Sequence, residues 1–307
     1  MKISISKEWL LKRAHLEEGL EIGAGGPFVD KPAAQPIDWS LFPVKEMYKR
    51  NWFEGFTGSL SAATAEADSL VQSFIRGAIR RPLLSLQRQR VRAGSKANSY
   101  ALLAWQCRVL WLAKSVKRSK EFKHAALDDA WLRSLVQISR FSDGPIRAKK
   151  HLEDAGIVLV IEPHLPSTHL DGAAMLGDEG PVIGLTLRYD RLDNFWFVLL
   201  HEIIHIKKHL KKGTVEDIFD DLEAEPDELE READLLACQA LIPDELWNTT
   251  LARYTRSKDA VKSFAARIKV NPAIVAGRIR NEADDYVILS DLLGLGEVRK
   301  LFPPRFG

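Results

Sequence analysis

The segment His201-Glu202-Ile203-Ile204-His205 constrains the fold more than any other part of the chain, because its two histidines share a face only if the segment is helical. In an α-helix, residues four positions apart lie one above the other, so both imidazoles can bind one metal ion. Glu202, between them, is the natural general base beside such an ion. The motif therefore predicts a helix that carries a zinc site, in the geometry that metalloprotease chemistry requires.

The residues around this motif indicate where its helix begins and ends. An uninterrupted apolar run, 195–200, precedes the motif and is typical of a helix buried in a core. Asp193 or Asn194 can cap the first turn, and Gly213 is suited to end the helix. Four lysines near the end suit the negative pole of the helix dipole: Lys207, Lys208, Lys211 and Lys212. The motif is therefore predicted to lie in the middle of a buried helix.

The third protein ligand that zinc needs is not predicted to come from the same helix. An extended motif would require glycine at position 208 and histidine at position 211, and both residues are lysine. His209 is predicted to be a surface histidine, because a straight helix places it about 12 Å along the axis from His201. A second helix must then supply the ligand.

Such a second helix is predicted for residues 229–243, with the sequence LEREADLLACQALIP. Its apolar residues recur at the spacing of one helix face: Leu229, Ala233, Leu236, Ala237 and Ala240. Glu232 borders that face. Cys238 is interpreted as a small buried residue among leucine and alanine, not as a ligand.

The combination of HEIIH at 201–205 and EREADLLACQALIP at 230–243 resembles the ImmA/IrrE family of zinc metallopeptidases. The resemblance, strongest over residues 140–245, implies a minimal zincin-like domain in which Glu232 is the third zinc ligand. Ile204 stands where the family prefers glycine or alanine. Thermolysin-like zincins place an acid four residues after the third ligand, and that position is Leu236. This leaves Asp234 or a backbone carbonyl to orient the histidines.

Two further segments resemble the flanks of antitoxin-type transcriptional regulators: FPVKEMYKRNWF near residue 42 and NPAIVAGRI near residue 271. Such regulators usually begin with a helix-turn-helix, and none is recognised in residues 1–40. The resemblance implies that the substrate is a partner regulatory protein, such as a repressor or an antitoxin. Nucleic acid is left open as a partner, and no membrane partner is expected.

The expected reaction is zinc-assisted hydrolysis of a peptide bond. An ion held by the two histidines and Glu232 would activate a water molecule, whose proton Glu202 would accept. Three loop residues are candidates for stabilising the oxyanion: His169, Arg188 and Tyr189. The alternative is a zinc-containing protein that binds a toxin or a repressor without hydrolysing it.

Composition places the chain in a broad class. Of its 307 residues, 46% are hydrophobic and 28% charged, as in soluble globular proteins. No stretch reaches membrane-span length, and the amphipathic N-terminus MKISISKEWLLKRAHLEE lacks the apolar core of a secretory signal. The two cysteines, Cys107 and Cys238, provide no disulfide framework. We therefore expect a cytoplasmic protein.

The net charge of +2 conceals two oppositely charged parts of the sequence. Basic residues cluster at 76–96 and 114–123, and acidic residues cluster at 216–228. A basic surface can contact nucleic acid or an acidic partner, or it can pair with the acidic segment of the same molecule. Charge runs of this kind are usually solvated faces, which favours the interpretation that needs no partner.

The order of predicted elements indicates an α+β fold that is predominantly helical. The predicted parts are an extended arm, a helical domain, the zincin-like domain and a C-terminal helical region, at residues 1–45, 46–140, 145–250 and 251–307. The segment ALLAWQCRVLWLAKSV is apolar on most faces and is expected to be the central helix of the helical domain. A compact two-helix unit is expected around the turn Val270-Asn271-Pro272.

In the zincin-like domain, one helix is predicted to end at Gly156 and three strands to follow, at 157–161, 172–176 and 182–187. We hypothesise that the last strand is the edge of the sheet beside the cleft. An extended substrate peptide could add to that edge by main-chain hydrogen bonds.

Overall fold

The computed structural model describes residues 38–79, 99–210 and 226–302. These residues belong to one compact unit that extends from Pro36 to Gly307. Several predicted features lie outside the described residues: the arm up to residue 37, the basic residues from 80 to 98, the helix end at Gly213 and the acidic residues up to 225. The predicted domain boundaries stay predictions.

Helices account for most of the described residues, which confirms the predicted α+β class with a helical majority. Within these residues the α-helices are α1 (Val44–Lys49), α2 (Leu60–Ala65), α3 (Ala67–Ala78), α4 (Ser99–Lys114), α5 (Asp129–Ile138), α6 (Gly144–Asp154), α7 (Leu192–Ile204), α8 (Pro226–Leu241), α9 (Asp244–Trp247), α10 (Leu251–Thr255), α11 (Lys258–Ile268) and α12 (Pro272–Ala283). Among these helices, none is long and apolar enough to cross a bilayer.

The three strands form one mixed sheet: β1 (Val158–Ile161), β2 (Gly172–Gly177) and β3 (Gly180–Leu185), in the order β1-β3-β2. A tight hairpin joins β2 to the antiparallel β3, and β1 pairs with β3 in parallel. The predicted strands are confirmed, but the hypothesis that the last strand is the edge is wrong. Since β3 pairs on both sides, β2 is the edge strand next to β3.

The sheet separates two hydrophobic cores, because alternate side chains of a strand point to opposite faces. In β1, Leu159 and Ile161 join the core that contains α7, whereas Val158 and Val160 join the core that contains α4. Gly156, at the predicted helix end, has φ +79° and approaches the backbone of Phe122 so closely that a Cβ would lie 2.6 Å from its nitrogen. This glycine lets α6 turn directly into β1.

The predicted apolar helix is confirmed as α4, which packs against α3 and against the sheet; its central place in a helical domain stays a prediction. Trp105, fully buried near the middle of α4, donates a hydrogen bond from Nε1 to the carbonyl of Glu162, at 2.9 Å. Its ring lies over Gly184 of β3, where a Cβ would come within 2.6 Å of the ring. The helix is therefore fixed to the strand that lies in the centre of the sheet.

The helix that carries the HEIIH motif is α7, and it packs against α8, α12 and the sheet. It begins at Leu192 with Arg191 as its N-cap, so the predicted caps Asp193 and Asn194 are wrong. Asp193 lies in the first turn, where Arg191 bonds both of its carboxylate oxygens at 3.0 Å. The predicted unit around Val270-Asn271-Pro272 is confirmed as α11 and α12.

Candidate metal centre

Two histidines of α7 bring one ring nitrogen each to the same point. His201 and His205 are one helical turn apart, and their Nε2 atoms lie 2.9 Å from each other. Both side chains are largely buried, at 13% and 17% exposure. The predicted convergence of the two imidazoles is therefore present in the structure.

A carboxylate from α8 completes a cluster of three candidate ligands. Glu230 Oε2 lies 3.1 Å from His201 Nε2, and its Oε1 lies 3.4 Å from His205 Nε2. In a tetrahedral site with bonds of 2.0–2.1 Å, ligand atoms are about 3.3 Å apart. The cluster thus has both the donor types and the spacing of a metal site. It supports the prediction that the protein uses a metal cofactor.

Glu232, the third ligand predicted from the resemblance, lies outside this cluster. Its Oε2 lies 3.3 Å from Nε2 of His209, and Glu230 occupies the position beside the two metal-site histidines. The reason is helix geometry, since two residues along α8 correspond to a rotation of about 200°. Only one of the two glutamates can therefore face His201 and His205.

Asp234 contacts the ring nitrogen of His201 that does not face the cluster. Its Oδ1 lies 2.9 Å from His201 Nδ1, so the neutral imidazole donates from Nδ1 and leaves the Nε2 lone pair for a cation. Asp234 follows Glu230 by four residues, one turn of α8, which places both carboxylates on the same face. The sequence left Asp234 or a backbone carbonyl to orient the histidines, and this contact confirms Asp234. Sequence reasoning had looked for an acid four residues after Glu232 and found Leu236. The spacing Glu-x-x-x-Asp was the signal that it missed.

The carboxylates around His201 favour a positive charge at the cluster. Burial opposes the charged imidazole, but hydrogen bonds to Asp234 and Glu230 outweigh it and raise the pKa of His201 to about 10. Burial also acts against the charged form of Glu230, yet its bonds to His201 and His205 leave its pKa well below the usual range. A bound cation would replace the proton that the histidine otherwise holds.

His209 is buried, so the prediction of a surface histidine is wrong. Only 7% of it is exposed, and its Nδ1 lies 2.8 Å from Nδ1 of His205. From His205 to His209 the chain continues α7 as a π-helical turn, in which Leu210 donates its N–H to the carbonyl of His205, at 3.0 Å. The distance along a straight α-helix excludes a contact with His201, but the i, i+4 spacing that pairs His201 with His205 also places His209 beside His205.

The side chain of Glu202, a residue of α7, points toward β2 and is buried, with 6% exposure. Burial raises its pKa, against the opposing effects of His201, of His205 and of a hydrogen bond donated by the backbone N–H of Ala174. Gly172 makes room for this side chain, because a Cβ there would come within 2.9 Å of Glu202 Oε1. The edge strand β2 therefore holds Glu202 beside the histidines.

The free edge of β2 faces the same site. In an antiparallel pair, successive residues point their backbone groups alternately toward the partner strand and away from it. The N–H of Ala174 reaches Glu202, so it points away from β3. Gly172 and Leu176, two residues to either side, share that orientation. The edge next to Glu202 is thus β2, and not the last strand as hypothesised.

The three oxyanion candidates lie in the loops around these strands. His169 precedes β2, is exposed and has φ +48°. Arg188 and Tyr189 follow β3, where the guanidinium of Arg188 lies 5.1 Å from the centre of the Tyr189 ring. That ring is also within 5.8 Å of the Arg191 guanidinium. A role for any of the three in catalysis stays a prediction.

The geometry of this centre can be set beside a comparison with known families. Residues 152–280 match the Peptidase_M78 family model, the IrrE N-terminal-like domain. The match includes the sheet, α7 and α8, and with them all residues of the cluster. It supports the predicted resemblance to the ImmA/IrrE family and indicates a metallopeptidase-like protein. Comparisons with curated proteins and with solved structures gave no match.

The matched range is also informative about one flanking segment. NPAIVAGRI, predicted to resemble a flank of antitoxin-type regulators, forms the start of α12 and lies inside the matched residues. In the structure, α12 packs against α7. Gly277 of α12 approaches Asp193 so closely that a Cβ would lie 2.9 Å from the aspartate Cβ. The segment thus belongs to the packing of the metal-site helix.

Proposed function

We propose that this protein is a zinc-dependent metallo-endopeptidase, with the ion held by His201, His205 and Glu230 and with Glu202 as general base. The observation that carries the proposal is the convergence of three ligand atoms within 4.8 Å of one another, beside a buried glutamate. Two imidazoles and one carboxylate form the donor set of catalytic zinc sites that leave a fourth position open. The donor set therefore favours zinc and hydrolysis.

The chemistry divides between the ion and the residues of the chain. When bound, zinc supplies a Lewis acid that makes a water molecule acidic near neutral pH and polarises the substrate carbonyl. Glu202 accepts the proton of the attacking water and passes it to the leaving amine. Burial raises the pKa of Glu202, which suits a base that must also release its proton. A hydrogen bond from the N–H of Ala174 favours the carboxylate form.

The substrate peptide is proposed to bind as a further strand on β2. Gly172 and Leu176 present backbone groups along the free edge, and Ala174, whose N–H is bonded to Glu202, lies between them. Main-chain hydrogen bonds of this kind bind an extended peptide with little dependence on its side chains. They would align the scissile bond with the base and the metal ligands. This favours an endopeptidase acting within an extended segment.

The natural substrate is proposed to be a partner regulatory protein, such as a repressor or an antitoxin, cut in the cytoplasm. The resemblance to the ImmA/IrrE family supports this substrate class, and the absence of a disulfide framework in the sequence supports the compartment. Cleavage at one site would then switch the regulator on or off.

The test compares new protein N-termini in host cells that carry the wild-type chain, Glu202→Gln or Glu245→Gln. Glu245 is an exposed glutamate at the start of α9, so its variant controls for the loss of one carboxylate. Zinc content is measured in all three purified proteins. We expect equal zinc content and a short set of N-termini that requires Glu202 alone.

Two outcomes would contradict the proposal. Identical N-terminal profiles for wild type and Glu202→Gln, with zinc bound and under stress as well as in normal growth, would leave a zinc-containing binding protein. A wild-type protein that binds no zinc would remove the metal site itself.

A further inference from the structure

A chain of hydrogen bonds runs from His205 away from the metal cluster. Nδ1 of His205 lies 2.8 Å from Nδ1 of His209, and Nε2 of His209 lies 3.3 Å from Oε2 of Glu232. Burying an imidazole is unfavourable unless its nitrogens find partners. His209 is buried and has a partner at each nitrogen, one of them a metal-site residue. The contact is therefore placed where it can act on the metal ligand.

The protons of this chain can be assigned from its chemistry. When Nε2 of a neutral His205 binds a cation, its proton is on Nδ1, which then donates to Nδ1 of His209. A neutral His209 accepting at Nδ1 carries its own proton on Nε2, which donates to the Glu232 carboxylate. Each nitrogen has one role, and the chain ends on a group that only accepts. The arrangement matches a metal-bound His205.

We propose that His209 and Glu232 are positioning residues, which fix the tautomer and the ring orientation of His205 for the metal ion. The inference rests on the metal site of the proposed function. His201 is supported by Asp234 directly, at 2.9 Å. For His205, the carboxylate is that of Glu232, and the imidazole of His209 lies between the two.

His209 follows His205 by four residues, the spacing that places two side chains on one helix face, and a π-helical turn covers the same residues. The turn starts at His205 and ends at His209, so the change from α-helix to π-helix coincides with the two residues that contact each other. Single π-helical turns inside helices are frequent at functional sites. Here the buried His209 lies against the outer nitrogen of His205. Glu232, on α8, closes the chain from the neighbouring helix.

The experiment measures zinc affinity and not activity. It therefore tests the inference even if the protein has no peptidase activity. The variants are His209→Leu, His209→Gln, Glu232→Ala and the double variant His209→Leu with Glu232→Ala. The controls are His151→Leu, a half-buried histidine stacked on Trp131, and Glu245→Ala, an exposed glutamate of α9. Zinc dissociation constants come from competition with a chelating dye, and the ligand set is followed by the visible spectrum of the cobalt(II) form.

We expect His209→Leu to weaken zinc binding about 10- to 100-fold, the usual effect of losing a partner behind a metal ligand. Glutamine offers both an acceptor and a donor, so His209→Gln should restore part of that loss. Glu232→Ala should weaken binding less than His209→Leu. The double variant should bind no more weakly than His209→Leu, because both changes act through one chain. Cobalt spectra should keep the same coordination number throughout.

Several results would overturn the inference. Zinc affinity in His209→Leu equal to that of the His151→Leu control would show that His209 only packs. Additive losses in the double variant would separate Glu232 from His209. A cobalt spectrum that changes coordination in Glu232→Ala, with a larger loss than in His209→Leu, would make Glu232 a ligand. If His209→Leu fails to fold, the same comparisons are made with His209→Gln and Glu232→Ala. Failure of the peptidase proposal alone gives a different result. The N-termini of Glu202→Gln cells would then equal those of wild type, while the zinc content stays normal.

Discussion

Two apolar helices, α4 and α7, lie against the same small sheet and differ in what they bury. The buried positions of α4 are filled mainly by aromatic and aliphatic side chains, with one thiol, Cys107. Burial raises the pKa of that thiol to about 12, so it stays protonated and unreactive. The buried positions of α7 include two carboxylates, Asp193 and Glu202, among its aromatic and aliphatic residues. The buried face of α4 therefore serves packing, whereas that of α7 also contains ionisable groups.

Glu202 of α7 shows how a buried acid can serve as a general base. Burial raises the pKa of Glu202, and two imidazoles and a backbone N–H of β2 act against it, so the side chain is buried without being isolated. Groups with shifted pKa values and specific charged neighbours tend to mark functional sites. The two helices should therefore respond in opposite ways to substitution: α4 through stability, and α7 through metal binding and catalysis.

The largest expected effect is on the chemistry of α7. Glu202→Gln should lower the rate of peptide cleavage by about 10²- to 10⁴-fold, because the general base is lost. The amide keeps the shape and can still accept the N–H of Ala174, so zinc content should not change. Cleavage rates of a peptide that carries a site found by the comparison of N-termini, with zinc measured in the same samples, check this. Loss of zinc with the rate would assign Glu202 a ligand role instead.

A change in α4 should have the opposite profile. Trp105→Ala should lower the free energy of unfolding by about 3–5 kcal/mol, since it leaves a cavity and removes the hydrogen bond to the carbonyl of Glu162. Zinc affinity of the folded fraction should stay within about twofold of wild type, because distant, independent sites act separately. Urea unfolding and zinc titration check both parts. A large loss of zinc affinity in folded Trp105→Ala would break the division between the helices.

A third expected effect concerns the support of His201. Asp234→Ala should weaken zinc binding about 10- to 100-fold by releasing the Nδ1 proton of His201 from its acceptor. Asp244, an acid of α9 that is bonded to Arg278 at 2.6 Å, is the control for charge. Zinc titration of Asp234→Ala and Asp244→Ala separates the two roles. Equal affinities would mean that the Asp234 contact does not orient the histidine.

The smallest expected effect is a gain in stability. In the metal-free protein, Glu202→Gln should raise the free energy of unfolding near neutral pH, by the ~0.5–2 kcal/mol typical of single stabilising changes. The sign follows from the pKa, which burial raises in the folded state: the charged form is disfavoured on folding, so stability is lost as pH rises through the folded pKa. The advantage of glutamine should vanish in acid, where Glu202 is protonated. Urea unfolding of wild type and variant, at neutral pH and in acid, measures this difference in stability. If Glu202→Gln is less stable than wild type at neutral pH, the charged form of Glu202 is not disfavoured by burial and the prediction fails.

Sequence reasoning found the parts of the site that depend on one helix. The spacing of His201 and His205 fixed their common face, and the apolar runs identified α4 and α7. It missed the parts that depend on how elements are rotated or ordered. Which of Glu230 and Glu232 faces the cluster depends on the rotation of α8 about its axis, set by fully buried Ala233 and Ala237.

The other misses have similar causes. The burial of His209 goes with its contacts to His205 and to Glu232, and Glu232 comes from α8, a helix distant in sequence. The edge position of β2 depends on strand order, because β1 and β2 pair with opposite sides of β3. Neither property leaves a periodic pattern in the residues concerned. Topology and helix rotation are decided by packing between elements that are distant in sequence.

The most direct measurement is an anomalous difference map at the zinc edge from crystals of the zinc-loaded protein. We expect one peak between α7 and α8, about 2.0–2.2 Å from Nε2 of His201, Nε2 of His205 and one oxygen of Glu230. Glu232 should remain on His209, away from the peak. A peak coordinated by Glu232 or His209, or crystals of zinc-loaded protein with no peak at the cluster, would contradict the central claim.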